Sequence, residues 1–168
     1  GGGRWYCGCM LVRGGCRRGR AAWFLFRAWG GVIGVHAPVA AKLPSSFQTP
    51  GNKGKANEAQ ICAADFEASV KPIAKWQRDQ ALERYGKRPE DFTGELDHLI
   101  PVSLGGSNDP DNLWPLPSSK EMGPEQKQAL DLKLHQLVCD KTLKLKDAQD
   151  AIRKDWVKAY NQYVKSAK

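Results

Sequence analysis

The chain lacks any apolar run long and clean enough to be a confident membrane span, which takes about 20 residues. It has no Cys-x-x-Cys pair, so the commonest zinc-knuckle spacing is absent. No internal repeat is visible, which argues against a solenoid or a propeller. Acidic residues are missing altogether from residues 1–41, which carry six arginines. The other 127 residues hold 20 basic and 18 acidic side chains, so the formal charge of +8 falls to +2 once that segment is set aside. Bulk charge therefore excludes little about partners, and a local basic face would have to attract phosphate.

What stands in those first 41 residues is Gly, Arg and Trp, then an apolar run from Ala21 to Val35 broken by Arg27, then Ala37-Pro38-Val39-Ala40-Ala41. A basic stretch, an apolar stretch and small residues before a cut form the pattern of an export leader, with Met10 as a candidate start. A buried helix is the other reading. Export places the mature chain in a periplasm or outside the cell. Removing the leader leaves two cysteines, Cys62 and Cys139. In an oxidising compartment they are expected to form a disulfide; the alternative is two buried thiols. Residues 42–58, rich in Pro, Gly, Ser, Asn and Lys, read as a flexible linker, and 59–168 as the folded domain.

Within that domain, Ile73, Trp76, Ala81 and Leu82 fall near helical spacing over 73–85, with Gly86 as a stop. Glu95 to Pro101 is short and mostly apolar, and Pro101 pushes Ile100 to an extended conformation, so a strand is expected. Residues 105–110 (GGSNDP) are loop chemistry, and Asn112-Leu113-Trp114-Pro115 can return as a second strand, with Trp114 a core plug. Pro124 sits in the first turn of a helix to about Cys139, whose Leu130, Leu134, Leu137 and Val138 face inward. A last amphipathic helix, about Lys146 to Val164, lines up Ala148, Ala151, Ile152, Trp156, Ala159 and Tyr163. The fold class is α+β, a small hairpin packed among helices.

Asp97 and His98 are adjacent on the first strand, so a regular strand sends them to opposite faces. A carboxylate for a divalent ion and a neutral histidine for a water are the parts that phosphodiester hydrolysis requires. Asn112, on the opposing strand, can accept the far ring N–H of His98 and fix its tautomer. Gln128, Asp131, His135 and Cys139 share one stripe of the helix after Pro124, because residues three and four apart stack. Asp131 and His135 could chelate one ion together with Asp97, although a histidine there is as often a packing residue.

The string Asp97-His98-Leu99-Ile100-Pro101, then Gly105-Gly106, then Asn112-Leu113 resembles the first two thirds of the HNH endonuclease motif, down to the 14-residue step from His98 to Asn112. More narrowly, residues 49–164 resemble small exported bacterial HNH-type proteins through Thr49-Pro50-Gly51, Ile61-Cys62, Asn112-Leu113-Trp114-Pro115, Leu134-His135 with Val138-Cys139, and Asp155-Trp156. The resemblance implies a ββα-metal fold that cuts DNA, and sometimes RNA, with Asp97 a metal ligand, His98 the general base and Asn112 the residue that positions it. The third ligand departs from the pattern: the usual offset of about nine residues after the motif Asn gives Glu121. Gln128, Asp131 and His135 are the substitutes expected here. Oxygen-rich ligation suits Mg²⁺ or Mn²⁺, and added histidine permits Zn²⁺ or Ni²⁺. The alternative is a catalytically inactive scaffold, an exported binding module that keeps the hairpin without the reaction.

Overall fold

The computed structural model describes residues 43–166, so the leader expected over 1–41 lies outside the described residues. Helix α1, Glu58–Ile61, is opened by a reciprocal cap: Asn57 Oδ1 accepts from Gln60 N–H at 3.0 Å, and Gln60 Oε1 accepts from Asn57 N–H at 2.9 Å. A second short helix, α2, covers Phe66–Ser69, and α3 covers Lys75–Arg84. Gly86, at φ +65°, supplies the left-handed turn that stops α3. Ala81 and Leu82 are buried on α3, whereas Trp76, near the same helical spacing, is 63% exposed.

Strand β1, Glu95–His98, pairs antiparallel with β2, Leu113–Leu116, placing Asp97 opposite Trp114 and His98 opposite Leu113. Between them the chain turns through two short 3₁₀ segments, Val102–Leu104 and Pro110–Asn112. Gly106 is required where the loop closes: a Cβ there would stand 1.8 Å from the Ile100 carbonyl oxygen. Helix α4, Pro124–Cys139, follows with Pro in its first turn, then α5, Leu145–Tyr160, and a π-helical turn over Asn161–Lys165. Leu130, Leu134 and Val138 of α4 meet Ile152 and Trp156 of α5 and Trp114 of β2 in one core. Leu137 is only half-buried.

Two expectations need correction. The C-terminal helix is not continuous, since Asp155 leaves the helical region at φ −166° and ψ 92°. Its Oδ1 accepts from Lys158 N–H at 3.0 Å, which restarts the helix as an N-cap does. Nor is the linker over 42–58 a free tether. Thr49 is buried and donates to the Leu113 carbonyl at 3.1 Å, Gly51 N–H donates to Asp111 O at 2.9 Å, and Gly54 N–H to Gly105 O at 2.7 Å. Thr49 and part of the segment's backbone thus pair with the hairpin region, while residues such as Lys53 and Lys55 stay exposed. A disulfide between Cys62 and Cys139 staples the end of α1 to the end of α4. That bond suits a chain matured in an oxidising compartment. No helix among the described residues is long and apolar enough to cross a membrane.

Candidate active site

The hairpin and α4 form the expected ββα unit, and β1 divides its two polar side chains as strand geometry requires. Asp97 shares a face with Trp114, the face that packs on α4. His98 goes the other way, into an open cleft lined with Glu67, Lys71, Pro72, Ile73, Val102 and Asn108.

His98 Nε2 lies 2.8 Å from Asn108 Oδ1. Which end of that amide faces the ring is set by its other contact, Asn108 Nδ2 donating to the Lys71 carbonyl at 2.7 Å. A carbonyl only accepts, so Oδ1 must face His98 and the Nε2 atom must carry the proton. Nδ1 is then the atom left with a lone pair. In its neutral form the ring is held in the tautomer a general base needs, at the edge of an open cleft.

Asn112 is not the residue that does this. It is fully buried and folded back on its own hairpin: Oδ1 accepts from Ile100 N–H at 2.9 Å, and Nδ2 donates at 2.9 Å to both Ile100 O and Ser107 O. Backbone takes both amide protons and one oxygen lone pair. Asn112 is the clasp of the loop, and the contact with the His98 ring expected of it is made by Asn108 instead. Sequence reasoning missed Asn108 because its partner, Lys71 O, is 37 residues away in the chain.

Asp97 and Asp131 do converge, but the point they share is the ammonium of Lys127. Its Nζ lies 2.9 Å from each carboxylate oxygen of Asp131, 3.0 Å from the His98 carbonyl oxygen and 3.3 Å from Asp97 Oδ2. Lys127 is 1% exposed. Burial works against its charge, but the carboxylates of Asp131 and Asp97 outweigh it and hold its pKa above the ordinary value. Burial also pushes Asp131 up to about 7; Lys127 opposes that shift, and the second carboxylate, Asp97, adds to it. Two carboxylates share one ammonium, and the deeper one resists ionising. Asp97 Oδ2 has no hydrogen-bond partner within the protein.

The remaining expected ligands do not reach this point. Gln128, one residue past Lys127 and therefore a quarter-turn round the helix, is exposed. His135 lies about 6 Å further along α4 than Asp131 and meets α1 instead of the hairpin. Its Nε2 donates to the Ile61 carbonyl at 3.0 Å and stands 3.4 Å from Cys139 Sγ. The pair facing β1 is thus Lys127–Asp131, not Asp131–His135. Oxygens at 2.9–3.3 Å from a resident ammonium do not fit Mg²⁺ or Mn²⁺, whose ligands stand at about 2.1 Å. Elsewhere, ligand atoms of Cys62, His135 and Cys139 lie within 4.8 Å of one another and could hold a metal ion, with thiolates to offer once the disulfide is reduced.

Comparison with protein-family models, with characterised proteins and with solved structures finds no match. The function must therefore be argued from the site.

Proposed function

We propose that this chain hydrolyses phosphodiester bonds of nucleic acid, DNA foremost, as an HNH-type endonuclease with His98 as general base, acting in a periplasm or outside the cell. The observation that carries the reading is the fixed tautomer of His98 beside an open cleft. Nδ1 takes a proton from a water, the water oxygen attacks phosphorus, and the bond from phosphorus to the leaving oxygen breaks, that oxygen taking a proton from solvent at the open cleft. Lys71 and Glu67 both line the cleft, so it carries one basic and one acidic residue beside His98. The ββα arrangement supports the resemblance drawn from the motif. No step is assigned to an ion at Asp97 and Asp131, since those residues as arranged do not fit one.

The test is nicking of supercoiled plasmid by the chain from Lys42 onward, in lanes with EDTA, Mg²⁺, Mn²⁺ and Zn²⁺. Nicking in any lane that disappears in a folded His98→Ala variant supports the reading. Equal nicking by variant and wild type rejects His98 as the base. A second reading, a non-catalytic exported scaffold, is favoured by one observation, the ammonium held between the two acidic residues. It expects no nicking in any lane.

A further inference from the structure

We infer that Lys127 is a built-in cation, an ammonium of the protein's own that holds the place a divalent ion would take between the hairpin and the helix, so that the wild-type chain binds no ion there. Four oxygens surround Nζ: both of Asp131, one of Asp97 and the His98 carbonyl. All are hard donors of the type that hold Mg²⁺ or Mn²⁺, and they come from β1 and α4, the two elements such an ion would bridge. Yet the centre is filled by a side chain that cannot diffuse away, buried to 1% exposure.

Geometry and charge agree on the consequence. An ammonium has three protons; both Asp131 oxygens and the His98 carbonyl accept hydrogen bonds from it, and Asp97 Oδ2 stands as an ion-pair partner at 3.3 Å. At 1% exposure it has no face open to a substrate. Lys127 is therefore a positioning residue. It ties the backbone of His98 to α4 and brings Asp97 and Asp131 together without an exchangeable metal. Removing the ammonium from such a cluster leaves two carboxylates facing each other without their cation, the arrangement that a divalent ion relieves.

This inference concerns binding alone and stands whether or not the chain cuts nucleic acid, so its test does not use nicking. Wild type, Lys127→Met and the double variant Lys127→Met/Asp131→Asn are titrated with Mn²⁺, and free Mn²⁺ is read by its electron paramagnetic resonance signal. With wild type the free signal is expected to stay undiminished. Lys127→Met is expected to take up one Mn²⁺ per chain at least about tenfold more tightly than wild type, and the double variant to lose that gain. Stoichiometric Mn²⁺ uptake by wild type that Asp97→Asn or Asp131→Asn abolishes would overturn the inference, as would a folded Lys127→Met that takes up none. If Lys127→Met does not fold, the wild-type titration with its two Asn variants decides alone: no uptake upholds the built-in cation, and uptake dependent on Asp97 and Asp131 refutes it.

Discussion

Replacing Asn108 by alanine tests the chain of contacts on which the base depends. The substitution removes the oxygen that His98 Nε2–H reaches at 2.8 Å and leaves the Lys71 carbonyl without its donor. Both groups lie at the edge of a cleft where water can replace the lost partner, so the fold should lose no more than about 1 kcal/mol. The ring responds differently. A net hydrogen bond of about 1 kcal/mol biases the two neutral tautomers by roughly fivefold, and that bias is what keeps the proton on Nε2. Without it a sizeable fraction of the rings carry the proton on Nδ1, the atom assigned to the water, and cannot act as the base. Long-range ¹⁵N–¹H correlation spectra of the imidazole read the tautomer directly. Wild type should show a protonated Nε2 and a bare Nδ1, Asn108→Ala a mixture, and Asn108→Asp, which keeps an acceptor in place, the wild-type proton on Nε2. The share of rings with a bare Nδ1 then falls from about five in six to about one in two, so nicking by Asn108→Ala should fall by about twofold from the tautomer alone, and further because the loosened ring also loses its orientation. A wild-type spectrum with the proton on Nδ1, or an alanine variant whose spectrum does not change, refutes the reasoning at its root.

Two further outcomes follow from the buried polar groups. Asn112→Ala deletes three hydrogen bonds of 2.9 Å from a fully buried residue and orphans the Ile100 N–H, so it should cost about 3–4 kcal/mol in a urea melt; a loss under about 1 kcal/mol would remove its role as clasp. Asp131 keeps its proton in the folded chain up to about 7, against an ordinary 3.8. Between those values the folded state binds more protons than the unfolded one, so stability should fall as pH rises through that window, by up to about 1.4 kcal/mol per unit. Urea midpoints at pH 5, 6, 7 and 8 should show this slope in wild type and not in Asp131→Asn; the same slope in both would assign it to other groups.

The hairpin was legible in the sequence because its constraints are local. Pro101 and Pro110 limit the backbone, and Gly106 is the residue that permits the loop to pass the Ile100 carbonyl. The start and end of α4 were legible for the same reason. What the sequence did not reveal depends on contacts across the fold. Asn108 and Asn112 are four residues apart, and nothing local says which faces the histidine. The 3₁₀ turn over Pro110–Asn112 decides, by sending Asn112 inward, while the Lys71 carbonyl arrives from far upstream to hold Asn108.

Lys127 was hidden by a default, since a lysine is almost never fully buried unless paired. The signal was nevertheless present. Lys127 lies three, seven and eleven residues before Leu130, Leu134 and Val138, so it belongs to the inward stripe of α4, and Asp131 follows it at the spacing of an ion pair. Two acidic residues that converge in a motif specify that a cation stands between them; they do not specify where it comes from. In this chain a lysine one helical turn before the second carboxylate is enough to supply it. The acid pair and the resident ammonium must therefore be read together before any metal is assigned to them.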